Sequence, residues 1–176
     1  RREELAQHDE ERRLELGAAW LEDPDIPRHV VFSGSTGEGL EQLAEAEQAS
    51  VIVFGSDYRT PPGRAEPGTT AQRLLEGGSV AIAVAAAGLR TQADSGIETI
   101  AVAAAGGDTT AANTAHALAG KLGAEIVELG PPVDLVVVGS QPSSSRRITL
   151  SGSTRTLLNT ARGSVLVLPS GVAIDL

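Results

Sequence analysis

One pattern occurs twice in this chain. Val51-Ile52-Val53-Phe54-Gly55-Ser56 leads through a loop to Gly68-Thr69, then to Leu74-Leu75 and to Ser79-Val80-Ala81-Ile82-Ala83-Val84. Leu135-Val136-Val137-Val138-Gly139-Ser140 leads through a loop to Gly152-Ser153, then to Leu157-Leu158 and to Ser164-Val165-Leu166-Val167-Leu168. The glycines stand thirteen residues apart in each case, Gly55 to Gly68 and Gly139 to Gly152, and the offset from Gly55 to Gly139 is 84. A repeat of this kind restricts the fold more than any single motif does. Runs that are apolar at nearly every position belong to strands buried on both faces of a parallel sheet.

The rest of the chain fits the same plan. Residues 1–22 predict a helix with Leu5, Leu14, Leu16 and Trp20 as its apolar positions, ended by Pro24 and Pro27. Residues 29–32 predict a short strand, and residues 39–49 a helix with Leu40, Leu43 and Ala44 on one face. Residues 88–96 are polar and predict a linker. Beyond it, residues 99–104 predict a strand and residues 109–122 a helix that turns Ala112, Ala115, Leu118, Ala119 and Leu122 toward the sheet. Residues 124–129 and 133–138 predict two more strands. Alternation at these lengths predicts βαβ units: a Rossmann-like α/β fold with helices on both faces of a parallel sheet, in two repeated units at 1–90 and 97–176. Only 2% of residues are aromatic, so Val, Ile, Leu and Ala must fill the core.

The repeated pattern resembles the signature of the universal stress protein family: Gly, two residues, Gly, nine residues, then Gly-Ser or Gly-Thr. Gly55 with Gly68-Thr69 matches it, as does Gly139 with Gly152-Ser153, while Tyr58 and Pro142 stand at the middle glycine. The resemblance covers nearly the whole chain. It implies an adenine nucleotide alpha hydrolase-like fold, a cytoplasmic stress-response role, and pairing of units through their final strands, within one chain or between two. It also implies that ATP or a related adenine nucleotide, with Mg²⁺ beside it, is held by Gly55, Ser56, Gly68, Thr69, Gly139, Ser140, Gly152 and Ser153. Departures from the family oppose this. The acidic residue that closes the family's first strand is missing from Ala105-Gly106-Gly107. Against a full family unit, the first copy lacks an opening strand–helix–strand, and the second runs from residues 125–127 almost straight to 133–135. No methionine occurs, where average usage predicts roughly two in every hundred residues.

The chemistry behind the phosphate reading is physical. A parallel strand ending in Gly-Ser delivers the chain to the carboxyl edge of the sheet, where ligands of open α/β folds bind. Glycine lets the backbone approach closely, and a helix start aims free N–H groups at an anion. The alternative is that Gly55 and Gly139 are tight strand exits and that the fold serves dimerisation or partner docking. Arg59, Arg64, Arg146 and Arg147 read either as phosphate partners or as solvated loop charges. The stretch Ser33-Gly34-Ser35-Thr36-Gly37-Glu38-Gly39 lacks the Lys of a phosphate loop and reads as a capped helix start. Asp57 is expected in a turn, or beside Mg²⁺, and Asp108 at a helix cap.

No catalyst is expected. Cysteine is absent, and His8, His29 and His116 have no ligand spacing, so no nucleophile–base set or metal site emerges. A net charge of −9 predicts neither a nucleic-acid partner nor polybasic membrane anchoring. The apolar run at 80–87 is too short to span a bilayer. The charged residues 1–15 do not make a signal peptide.

Overall fold

Pro24 and Pro27 follow the end of the first helix, α1 (Arg2–Trp20), which includes an unbroken run of charge at residues 9–13. A computed structural model describes residues 2–91, 96–104, 106, 108–130 and 132–174. The chain divides into two compact units, Arg1–Ser35 and Thr36–Leu176. In the first unit Ala18 is buried, but Leu16 and Trp20 are mostly exposed. Residues 29–32, expected as a strand, form none; Phe32 is 67% exposed. A lone extended segment has no ladder for its N–H and C=O groups, and the described residues of this unit supply no second strand.

The second unit begins with α2 (Thr36–Ala46), three residues earlier than residue 39. Residues 36–39 of the Gly-rich stretch are therefore the first turn of this helix, and residues 33–35 precede it. Gly37 and Gly39 are buried, and a Cβ on Gly37 would stand 3.7 Å from the Leu74 side chain. Six strands follow: β1 (Val51–Gly55), β2 (Ala81–Ala85), β3 (Thr99–Ala103), β4 (Glu125–Val127), β5 (Leu135–Val138) and β6 (Ser164–Val167). The helices between them are α3 (Thr69–Leu75), α4 (Thr110–Leu122) and α5 (Gly152–Thr160). The expected linker holds a short 3₁₀ turn, Leu89–Thr91, and its residues 92–95 lie outside the described residues.

One six-stranded sheet results, in the order β1-β2-β6-β5-β3-β4. All neighbours are parallel except β2 and β6, which run antiparallel with Ile82 opposite Val167 and Val84 opposite Val165. The α/β class expected from the sequence holds, with one antiparallel seam between β2 and β6, the second and third strands in sheet order.

Successive side chains of a strand alternate between faces, and the two cores separate accordingly. Ile82, Val84, Val136, Val138, Val165 and Val167 share one core with Leu74, Leu75 and Leu158 from α3 and α5. Ala81, Ile100, Leu135, Val137 and Leu166 share the other with Ala111, Ala115 and Ala119 from α4. Ala115, Leu118 and Ala119 of α4 face the sheet as expected, but Ala111 and Thr114 are buried beside them, and Leu122 is 50% exposed. Small residues recurring four apart let this helix lie close to the sheet.

The two strand–loop–helix–strand segments carry the same hydrogen bonds. In the first, the Ser56 hydroxyl donates to the Ala85 carbonyl (2.6 Å) and accepts from the Glu66 N–H (3.1 Å), while the Asp57 N–H donates to the Glu66 carbonyl (2.9 Å). In the second, the Ser140 hydroxyl donates to the Leu168 carbonyl (2.7 Å) and accepts from the Thr149 N–H (3.0 Å), while the Gln141 N–H donates to the Thr149 carbonyl (2.8 Å). Ser56 to Ser140 is a step of 84, but Glu66 to Thr149 and Ala85 to Leu168 are steps of 83. The second loop is one residue shorter. The apparent match of Gly68-Thr69 with Gly152-Ser153 is thereby shifted by one: the N-cap Gly68 corresponds to the N-cap Ser151. Strand register likewise equates Ala81, not Ser79, with Ser164.

Asp134 ties the starts of three strands together. Its Oδ2 accepts from the Glu98 N–H (3.0 Å), the Thr99 N–H (2.9 Å) and the Thr99 hydroxyl (2.9 Å), and its carbonyl accepts from the Ser164 N–H. Desolvation pushes this carboxyl up, but the bonds from Thr99 and Glu98 together outweigh it and hold its pKa below the ordinary 3.8. A lowered pKa stabilises the fold above that ordinary value, and the contribution is lost as the pH falls through the lower, folded value. Asp134→Asn is therefore expected to lower the melting temperature at pH 7 and to lower it less at pH 3. An equal loss at both pH values would show that ionisation of Asp134 plays no part.

Candidate functional site

Strands β3 and β5 run parallel, so their carboxyl ends open on one edge of the sheet. The Gly139 N–H donates to the Ala103 carbonyl at 2.9 Å and keeps the two exits together. Beside them α5 begins. Its N-cap Ser151 has an extended backbone and accepts from the Thr154 N–H at 3.1 Å, which leaves other first-turn N–H groups without helical partners. The Ser151 hydroxyl also lies 2.8 Å from those of Ser153 and Thr154. Together these groups form a pocket of about 540 Å³ lined by Ala104, Gly106, Gln141, Pro142, Ser151, Ser153 and Thr154.

This pocket has a hydroxyl-rich wall at the positive end of a helix dipole, the environment that favours an anion. Its opposite wall is less generous. Pro142 has no N–H to offer, and its Cδ lies 3.8 Å from where a Cβ on Gly106 would stand. The expected acid position spans Ala105 and Gly107, which lie outside the described residues. Asp108 sits just beyond: its Oδ1 accepts from the Thr110 N–H (2.9 Å) and the Thr110 hydroxyl at the start of α4, while its buried Oδ2 has no hydrogen-bond partner among the described residues.

Of the eight residues singled out in the sequence, Ser153 lines this pocket. Gly152 is the exposed first residue of α5, and Gly139 is buried at the β5 exit. Ser140 is completely buried, with its hydroxyl committed to Leu168 and Thr149, so it serves the loop and not a ligand. Ser56 does the same work in the first segment, half-buried. Gly55 and Thr69 are exposed, and Gly68 caps α3 without a side chain to help. Sequence reasoning missed Ser151, Thr154, Gln141 and Gly106. A signal for Ser151 was present in Ser151-x-x-Thr154, a polar residue before a helix start.

Tyr58, at the middle-glycine position, turns outward; it is 83% exposed, and Arg59 stacks over its ring at 4.9 Å. Asp57 accepts from the Arg59 N–H (3.0 Å), a turn role. Arg64 and Arg147 instead donate to main-chain carbonyls, at Asn159 (2.5 Å) and Gly77 (2.8 Å). His116 bonds the Ala112 carbonyl of its own helix. Among the described residues no group of His, Asp and Glu could hold a metal ion, and no helix is long and apolar enough to cross a membrane.

A larger groove of about 860 Å³ lies on the α4 side of the sheet, floored by Val51, Val53, Ala83 and Ala85. Its walls are mostly aliphatic, with Arg64, Glu98, Asp134 and Arg162 around them, whereas the smaller pocket gathers three hydroxyls at one helix start. Chemistry, and not size, selects the pocket at α5.

Residues 1–86 match the Universal stress protein family. The match ends just after β2, so it covers the first strand–loop–helix–strand segment and stops before the second. The fold is similar to that of a candidate universal stress protein from Pseudomonas aeruginosa UCBPP-PA14, with a TM-score of 0.61 and 14% identity over 90% of this chain and 77% of that one. It is similar also to a functionally unknown protein from Pseudomonas aeruginosa PAO1, with a TM-score of 0.61 and 15% identity over 94% and 78%. At these identities the likeness is one of fold. No curated protein matches the sequence.

Proposed function

We propose that this protein is a stress-response binding protein of the universal stress protein type. In this reading it holds ATP or a related adenine nucleotide, with Mg²⁺, at the pocket between β3, β5 and α5, and is not a catalyst. The observation that carries the reading is the start of α5: Ser151, Ser153 and Thr154 gather hydroxyls and first-turn N–H groups at the carboxyl edge of a parallel sheet. The family match over residues 1–86 supports the stress-response part. The matched hydrogen bonds of Ser56 and Ser140, with the antiparallel seam between β2 and β6, support two family units in tandem, joined through their final strands as a pseudo-dimer. A cytoplasmic location follows the family reading, and the net charge of −9 disfavours nucleic acid and anionic membrane as partners.

Isothermal titration with ATP and Mg²⁺ tests the reading. One nucleotide is expected per chain, with affinity reduced at least tenfold in Ser153→Glu, which sets a carboxylate against the phosphates (about 1.4 kcal/mol or more). No binding by the folded parent would overturn it. A second reading, a partner-docking module that binds no nucleotide, is favoured by one feature, Pro142 in the pocket wall. Under that reading Pro142→Gly would bind MgATP where the parent does not.

A further inference from the structure

We propose that Arg64 is a positioning residue for the pocket at α5: it reaches across the seam from the first segment and clasps the far end of the helix whose start forms the pocket. The proposal rests on the nucleotide reading above and concerns how that site is held.

A helix end leaves its last carbonyls unpaired and carries a partial negative charge, so a cation there is favourable. The last turn of α5 contains no basic residue of its own. The cation comes from elsewhere in the chain: Arg64 Nη2 donates to the Asn159 carbonyl at 2.5 Å. In the same turn the Leu157 carbonyl accepts from the Ala161 N–H.

The arm that carries Arg64 is pinned on both sides. Towards its own segment, the Gly63 N–H donates to the Ala87 carbonyl (2.8 Å) and the Ala87 N–H donates to the Arg64 carbonyl (2.9 Å). Towards the second segment, the Gly163 N–H donates to the Gly63 carbonyl (2.8 Å), and Arg64 and Arg162 form a β-bridge. The end of α5 is therefore fixed to the first segment by main chain and side chain together. A rigid helix of this length, about 13 Å at 1.5 Å per residue, transmits a shift of its last turn to its first.

The clasp also occurs in the other direction. Arg147, 83 positions after Arg64, donates to the Gly77 carbonyl just past α3 (2.8 Å), and the neighbouring Ile148 N–H donates to the Gly78 carbonyl (2.9 Å). Each loop thus holds the helix end of the opposite segment, which makes the contact a property of the seam and not of one surface side chain.

The test compares the parent with Arg64→Ala, Arg64→Lys and Arg73→Ala; the last removes an equal charge from an exposed site on α3. MgATP affinity is measured by titration, and amide hydrogen exchange is followed at Thr154 and Arg155, whose N–H groups bond to Ser151. The expected result is affinity weaker by about 3- to 10-fold in Arg64→Ala, largely recovered in Arg64→Lys and unchanged in Arg73→Ala, with faster exchange at both amides in Arg64→Ala alone. Equal affinity of Arg64→Ala and the parent would overturn the proposal. So would weaker binding without faster exchange, since Arg64 would then act on the nucleotide directly. If the parent binds no MgATP, the nucleotide reading falls, and exchange decides the clasp alone: faster exchange at α5 in Arg64→Ala supports it, and identical rates overturn it.

Discussion

Gly163→Ala is expected to cost about 3–5 kcal/mol of stability, combining a strained backbone with a steric overlap. Gly163 joins α5 to β6 at φ +104, a conformation open to glycine and strained for alanine. The new Cβ would overlap the Val133 carbonyl and stand 3.1 Å from that of Asp134. Neither neighbour is free to yield: Val133 is buried, and the Asp134 carbonyl accepts from the Ser164 N–H. Gly152 provides the comparison, since a Cβ there meets open space and its φ is ordinary for a helix start. Urea denaturation should place Gly152→Ala within about 0.5 kcal/mol of the parent. Equal midpoints for the two variants would mean that the α5–β6 turn can relax.

Ser140→Ala is expected to cost about 2 kcal/mol, because the hydroxyl it removes serves two main-chain groups and is wholly buried. The Leu168 carbonyl and the Thr149 N–H would both lose their partner where little water can replace it. Ser56 makes equivalent bonds to Ala85 and Glu66 but is only half-buried, so Ser56→Ala should cost about 1 kcal/mol or less. Denaturant midpoints decide the order, and Ser56→Ala as the costlier change would contradict it. The pair also separates structural from ligand roles. Neither hydroxyl is placed to serve a nucleotide, so any loss of MgATP affinity should follow the loss of stability.

The strands at Leu135 and Val165 were legible because burial on both faces forces an unbroken apolar run; the run at Val51 reads the same way, although β1 is an edge strand and leaves Val53 65% exposed. The helix starts at Thr69 and Gly152 were legible from the glycine and hydroxyl residues around them. Residues 29–32 look like a strand locally, but a strand exists only with a neighbour, and neighbours are not written in local sequence. Part of the α4 face was misjudged for a related reason. Its alanines offer little contrast between sides, so Ala111 and Thr114 could turn inward in place of Ala112 and Leu122.

The site was less legible than the fold. Matching Gly68-Thr69 to Gly152-Ser153 put the emphasis one residue late, because a single missing loop residue between Gln141 and Thr149 cannot be seen until the ladder fixes the register. Ser140 looked like a donor for a ligand because Gly-Ser at a strand exit exposes its backbone; the hydroxyl itself turns inward. Ser151 and Thr154 carried no family expectation, and their role depends on the cap geometry of α5.

The antiparallel seam has a kinetic consequence. Ile82 and Val167 face each other across it although they stand about 85 residues apart in sequence, whereas β1 with β2, and β5 with β6, close over about 30 residues each. Loop closure costs entropy before distant contacts return any, and chains rich in such contacts fold slowly. Each strand–loop–helix–strand segment can therefore assemble early on its own terms, with the joining of β2 to β6 as the slow step. On the ribosome that step waits until Ser164–Val167 has emerged.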